Sequence, residues 1–455
     1  MLNRVRKRNQ PPGPKGKVIK GSLNDFQAGP LPFLFKTAKE YGPISCFRFG
    51  PFQNVYLVNE PDLIKEILVT KQKSFVKSRD IQTLKAVVGE GLLTSEKDMH
   101  MQQRRMIQPS FKKSHISSYA QDMIDTTHSF ISKWKNEEEK VITDDMMDIA
   151  LGIITKTMFS MDFEEGAKKL GEPMDAVMKI GVKRMRSLIQ LPLWLPTKNN
   201  RKLKKAVSKL DQEIYQIIER RRQEPGVHSD LLGVLMEAKD EDDGEGMSDL
   251  QLRDELMTIF LAGHETTANL LSWTLYLLSQ NPKAEKKLYD EIVGVTGDNQ
   301  VTPENFADLP YTQFVIWESM RLYPPAYVIG RQVDKKVNIG GYHFKKGEMV
   351  LMSQYVMHRN SDYFDNPEEF IPDRFADNFM KKLPTYAYFP FGGGPRVCVG
   401  NHFSLMEGVL ALAVMMKEYS VKMAPNHGEI KPQPLVTLRP KYGLRMIIKR
   451  RASNS

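Results

Sequence analysis

The sequence predicts a mainly α-helical protein with a small β region. Three observations carry this: a long helical pattern from Ser248 to about Gln280, further helical patterns over most of residues 115–240, and strand-like alternation confined to Ile44–Val58 and a few short later runs. The 455 residues include 41% hydrophobic side chains, a net charge of +10 and two cysteines, Cys46 and Cys398. Two cysteines exclude a disulfide framework and favour a reducing cytoplasm. The positive charge concentrates at Arg4–Lys20, Arg201–Lys205 and Arg220–Arg222 without any nucleic-acid motif. Solvated helix faces explain most of it, and attraction to an acidic partner or anionic surface comes second.

Residues 1–10 form a basic tail, too short and too charged for a signal peptide or a membrane span. Residues 11–450 are expected to make one domain wrapped round a cofactor. Alternating runs on either side of Gly50-Pro51 predict a hairpin, in which Cys46 is a strand residue with no special role. A helix follows from Pro61, with Leu63, Ile64, Ile67 and Leu68 on one face. The loop Gly89–Ser95, which contains Leu93, leads to a segment where His100 and Arg104 are four apart and share a helix face. The helical region 115–240 breaks near Gly171-Glu172-Pro173 and Leu191–Pro196. Asp240–Gly246 is an acidic loop, read as a solvated connection in preference to a metal site.

Ser248, with Gln251 three residues later, is a capping-box signature. The helix it opens should run to Asn281-Pro282, a rod of about 45 Å. Its middle, Ala262-Gly263-His264-Glu265-Thr266-Thr267, is too polar for an ordinary buried centre. Threonine back-bonding to the helix is one explanation. A second is chemical: Ala262 and Thr266 share a face and leave a small gap beside a hydroxyl. His264 points about 160° away from that face and is discounted as a ligand. Thr312–Tyr323 is an apolar helix stopped by Pro324-Pro325, with Glu318 and Arg321 spaced to pair. Gly340-Gly341, Met349–Leu351 and Leu435–Ile448 supply the remaining turns and strands.

The chemistry centres on Phe391-Gly392-Gly393-Gly394-Pro395-Arg396-Val397-Cys398-Val399-Gly400. Three glycines and a proline make a stiff turn whose backbone can approach a flat ligand, and the turn presents a lone cysteine just ahead of an apolar helix. A thiolate there gains from the unpaired N–H groups of the helix N-terminus. A buried structural cysteine is the plainer reading, and the spacing argues against it.

This string resembles the haem-binding loop of the cytochromes P450, Phe-x-x-Gly-x-x-x-Cys-x-Gly, with Phe391, Gly394, Arg396, Cys398 and Gly400 in register. Three further signatures follow the family's order. Ala262–Thr266 is similar to its oxygen-binding helix, Glu318-x-x-Arg321 to its buried ion pair, and Pro372-Asp373-Arg374-Phe375 to the segment that adds a second arginine. The resemblance implies the cytochrome P450 fold, with haem b (iron-protoporphyrin IX) between the long central helix and the cysteine loop. Cys398 would be the iron ligand, as in the thiolate-ligated haems. Phe391 and the Gly400 backbone would shield and temper the sulfur. His100 and Arg104 match a Trp-x-x-x-Arg helix, so Arg104, Arg331 and Arg396 would hold the propionates, with His100 in the tryptophan position. Glu265 and Thr266 would deliver protons to the reacting oxygen, beside the small residue Ala262. Glu318, Arg321 and Arg374 would lock the scaffold, and Leu93, Ala262, Ala326 and Val328 would touch substrate.

The implied reaction inserts one atom of dioxygen into an apolar substrate. A fatty acid is favoured and a terpenoid or steroid is the alternative, although Phe52 stands where a basic anchor would help and only Tyr56 is nearby. Electrons would come from NAD(P)H through an external reductase, with a ferredoxin or flavodoxin docking near Lys381, Lys382 and Arg396. Membrane-bound relatives carry a spanning helix ahead of a hinge like Pro11-Pro12-Gly13-Pro14, so a soluble, cytoplasmic, bacterial-type enzyme is expected. A peroxide-using haem-thiolate enzyme has no need of the Glu265-Thr266 pair, and a non-enzymatic haem sensor would normally carry an output module.

Overall fold

The structure, a computed structural model, describes residues 10–185, 192–224, 229–242 and 244–451. Most of the predicted basic tail, and Leu191 at the start of the predicted break Leu191–Pro196, therefore lie outside the described residues. The chain divides into two compact units: everything before Asp80 together with Trp317–Cys398, and Asp80–Ile316 together with the chain from Val399 on.

The first unit holds a five-stranded sheet. Its strands are β1 (Ile44–Phe49), β2 (Gln53–Val58), β3 (Phe75–Lys77), β4 (Ile329–Val333) and β5 (Met349–Met352), in the order β1-β2-β5-β4-β3. β1 and β2 form the predicted hairpin, pairing Ile44 with Val58 and Phe49 with Gln53 across the Gly50 turn. Gly50 takes φ +68°, the left-handed conformation such a turn needs. Pro12 accepts the Cys46 N–H at 2.8 Å, so the proline-rich stretch lies along the outer strand. The alternation of β1 and β2 sends Ile44, Tyr56 and Val58 into one buried cluster with Ile64, Ile67, Val350 and Phe389, and Phe47, Val55 and Leu57 into a second cluster with Leu34. Each such fully buried aliphatic side chain contributes roughly 1.5–3 kcal/mol. Strand period and burial thus agree in this hairpin.

The second unit is mainly helical. Four helices position the predicted chemistry of the two units: α1 (Lys97–Ile107), α2 (Asp249–Gln280), α3 (Pro310–Leu322) and α4 (Asn401–Glu418). α2 starts at the predicted residue, with the Ser248 hydroxyl accepting the Gln251 N–H at 3.2 Å as the serine half of the predicted capping box, and it ends where Pro282 removes the next donor. Its buried residues fall on every face from Leu252 to Leu278, including Trp273 at 0% exposure, as expected of a core helix. α4 is likewise buried from Glu407 to Met416. A three-stranded sheet of Glu138–Val141, Tyr419–Met423 and Arg445–Arg450 flanks these helices, and the hairpin β6 (Pro432–Pro434) and β7 (Leu438–Pro440) precedes the last strand. Asp240 is buried and paired with Arg105 at 3.2 Å, so the acidic loop is tied down at its first residue where free solvation had been expected. Among the described residues, no helix is long and apolar enough to cross a membrane.

Candidate active site

In the first unit the cysteine loop runs as a short 3-10 turn, Gly394–Arg396, followed by Val397 and then Cys398. The Cys398 N–H donates to the Phe391 carbonyl at 3.0 Å and closes the loop upon itself. Two of its glycines are needed for space. Gly394 has φ +67°, and a Cβ there would stand 2.1 Å from the Leu68 carbonyl oxygen; a Cβ on Gly393 would stand 2.1 Å from the Tyr386 ring. Leu68 belongs to a π-helical turn, Glu66–Thr70, so that irregular turn and the loop interlock. The loop leaves the Cys398 side chain exposed. Arg331, on the sheet opposite Val350 and Lys77, and Arg396 are half-buried in the same unit. Ala326 is exposed and Val328 half-buried on the way into β4.

Glu318, Arg321 and Arg374 form one buried ion-pair network. Arg321 donates through Nε to Glu318 Oε2 at 2.7 Å and through Nη2 to Oε1 at 2.8 Å. Its remaining N–H groups meet the carbonyls of His358 (2.9 Å), Pro367 (2.6 Å) and Glu369 (2.8 Å). All five guanidinium donors are therefore used, a pattern that lysine cannot reproduce. Arg374 Nε reaches Glu318 Oε1 at 3.0 Å, and the Ile371 N–H donates to the same oxygen at 2.9 Å. Glu318 and Arg321 are both 0% exposed, so removing either partner would strand a buried charge.

His358 was not anticipated from the sequence. It is fully buried, and its Nε2 accepts the Phe389 N–H at 3.0 Å, two residues ahead of Phe391. Burial, and then the nearby Arg321 charge, push its pKa well below the ordinary value, which keeps the ring neutral and able to accept. Through its backbone carbonyl it also holds Arg321, so this histidine joins the ion-pair scaffold to the start of the cysteine loop.

In the second unit the polar segment sits at the middle of α2. Ala262 is exposed although its helix neighbours are mostly buried, and Gly263, Glu265 and Thr266 are half-buried. The Thr266 hydroxyl donates to the Ala262 carbonyl at 2.5 Å, the back-bonding that threonine favours in helices. Glu265 Oε1 accepts the Thr437 hydroxyl at 2.7 Å. His264 is buried and hydrogen-bonds the Met147 carbonyl at 3.2 Å. Next in line, Thr267 donates at 2.9 Å to Glu407 of α4. Burial raises the Glu407 pKa to about 8, opposed by the Thr267 hydrogen bond. Glu407 was also missed, although a lone acid in the apolar run from Phe403 to Met416 was a visible signal.

The loop bearing Leu93 is fixed to the first turns of α2. The Glu90 N–H donates to Asp254 at 2.7 Å and the Leu92 N–H to Glu255 at 2.8 Å. Gly89, at φ +69°, would place a Cβ 2.0 Å from the Asp254 carboxylate, so glycine is required for that approach. Leu93 itself is half-buried. His100 and Arg104 lie on α1 as predicted, His100 buried and Arg104 half-buried.

The donor set fits a haem. An exposed, soft cysteine sulfur on a rigid loop suits iron, and half-buried guanidinium groups suit an anionic porphyrin rim. A family model described as Cytochrome P450 matches residues 11–446. Cyclooctatin synthase from Streptomyces melanosporofaciens is 31% identical over 427 residues, covering 93% of this chain and 92% of that protein. Cyclooctat-9-en-7-ol 5-monooxygenase from the same organism is 31% identical, covering 87% and 86%. The solved structure of retinoic acid bound cyanobacterial CYP120A1 superimposes with a TM-score of 0.86 at 24% identity, over 98% of this chain and 100% of that one, a likeness of fold. The chain belongs to the cytochrome P450 family. It is an oxidoreductase, a haem-dependent monooxygenase.

Proposed function

We propose that this enzyme hydroxylates a rigid, apolar, cyclic substrate of terpenoid type, using electrons from a separate ferredoxin or flavodoxin and its NAD(P)H-dependent reductase in the cytoplasm. The observation that carries the substrate class is the state of Tyr56. Its ring stacks on Phe344 at 4.0 Å, its hydroxyl donates to Glu348 at 3.0 Å, and burial raises its pKa. Tyr56 is thus committed to the sheet and cannot anchor a fatty-acid carboxylate, while Phe52 beside the hairpin turn is 94% exposed. The relative named for a cyclic alkenol supports the same class. The fatty-acid reading rests on the family resemblance alone.

Within this proposal, residues 11–450 act as one haem domain. Cys398 holds the iron, and Phe391 and the Gly400 backbone screen the sulfur. Arg331, Arg396 and Arg104, with His100, hold the propionates. Bound there, haem supplies the iron at which dioxygen is activated. Glu265 and Thr266 hold and pass protons, which favours oxygen over peroxide as the oxidant. Leu93, Ala262, Ala326 and Val328 shape the substrate side.

Two measurements test it. The reduced, carbon-monoxide-bound protein should show the strongly red-shifted Soret band of thiolate ligation, and Cys398→His should abolish that band. Titration with sclareol, a terpenoid alcohol, should shift the haem spin state at concentrations at least tenfold lower than lauric acid requires. The reverse order would restore the fatty-acid reading.

A further inference from the structure

The turn joining β6 to β7 is bound to α2 at three successive helical turns. Glu265, Asn269 and Trp273 are four residues apart and so form one stripe along the helix. Each makes a hydrogen bond to this turn or to the first residue of β7. The Thr437 hydroxyl donates to Glu265 Oε1 at 2.7 Å, Asn269 Nδ2 donates to Thr437 Oγ1 at 3.1 Å, and Trp273 Nε1 donates to the Leu438 carbonyl at 2.9 Å. Asn269 Nδ2 also donates to the Glu265 backbone carbonyl at 2.9 Å. Thr437 and Asn269 are 6% and 5% exposed, and Trp273 is fully buried.

We propose that Thr437 is the positioning residue for the Glu265 carboxylate, held in place by Asn269. A hydroxyl has one proton to give. Because Asn269 can only donate at its amide nitrogen, the Thr437 proton is directed at Glu265, and the chain runs one way: amide to hydroxyl to carboxylate. Bonds linked in this sense strengthen one another. Thr437 occupies Oε1 and turns the carboxylate toward the β6–β7 turn, about 100° round the helix from Thr266, whose own hydroxyl is held by the Ala262 carbonyl. Oε2 is then the oxygen that exchanges protons with water. The inference rests on the proposed role of Glu265 as the proton-passing acid, and it adds a residue 172 positions away as the part that aims it.

The test uses the haem-loaded enzyme with Thr437→Val, Thr437→Ser, Asn269→Ala and Glu265→Gln. The carboxylate stretch that disappears from the infrared spectrum in Glu265→Gln marks the acid. Thr437→Val should shift that band and Thr437→Ser should leave it in place; packing of the turn alone would not move it. Product formed per NADPH should fall several-fold in Thr437→Val and recover in Thr437→Ser, measured with whichever of sclareol and lauric acid gives the larger spin-state change. Asn269→Ala should give a smaller fall in the same direction, and it serves if Thr437→Val folds poorly. An unshifted band, or unchanged coupling in Thr437→Val while Glu265→Gln uncouples, overturns the assignment of Thr437. Unchanged coupling in Glu265→Gln overturns the role of Glu265 itself, and the band shift in Thr437→Val would still report the contact.

Discussion

Glu318 and Glu407 are both fully enclosed carboxyl groups, and their neighbours separate their roles. Glu318 meets two guanidinium groups and a backbone N–H, so its charge is matched where it lies. Glu407 meets one threonine hydroxyl, which compensates little of the cost of burying a charge. Burial therefore raises its pKa from an ordinary 4.5 to about 8. The folded protein holds this proton through a pH range in which the unfolded chain releases it. The resulting stability is complete below about pH 4.5 and is lost as pH rises through about 8. Glu407→Gln keeps the shape and removes the titration. Chemical denaturation at pH 6, 7.5 and 9 should show the parent losing on the order of 2–4 kcal/mol relative to Glu407→Gln across that range. Parallel pH profiles would show that Glu407 does not bind its proton more tightly in the folded state.

Among the elements, the cysteine loop depends most on one backbone position. Gly394 combines φ +67° with a Cβ site 2.1 Å from the Leu68 carbonyl oxygen, and backbone on both sides leaves nothing flexible to yield. Gly394→Ala should therefore displace the loop from the π-helical turn at Glu66–Thr70 and lower haem retention, with the carbon-monoxide Soret band moving from the thiolate position; an unchanged band would mean that the loop tolerates the shift. This element was legible because its constraint is local: three glycines, a proline and a cysteine within ten residues. α2 was legible for the same reason, since a serine cap and Asn281-Pro282 mark its ends. Glu318, Arg321 and Arg374 could be grouped through short motifs although 56 residues separate the first from the last. Thr437 and His358 could not. Each acts through a pair of hydrogen bonds to distant segments, and such isolated bonds impose neither periodicity nor composition on the residues around them. The anchoring of the Leu93 loop was hidden likewise, because Asp254 and Glu255 read as ordinary helix acids until the loop N–H groups are placed on them.

For the whole molecule, the net charge of +10 bears on how electrons arrive. A monooxygenase that takes them from a separate protein needs an encounter surface, and positive surface charge draws an acidic partner before any close contact forms. Lys381 and Lys382 close a short helix, Phe379–Lys382, in the same unit as Cys398, and both side chains are exposed. Reversing both, Lys381→Glu with Lys382→Glu, changes the local charge by four while altering no buried contact. The second-order rate of reduction by an acidic ferredoxin should fall about tenfold at low ionic strength, a loss typical of an encounter steered by charge. At about 1 M salt, where the screening length is near 3 Å, parent and variant should converge. A difference that persists at high salt would point to a damaged fold, and equal rates at low salt would place the docking surface elsewhere.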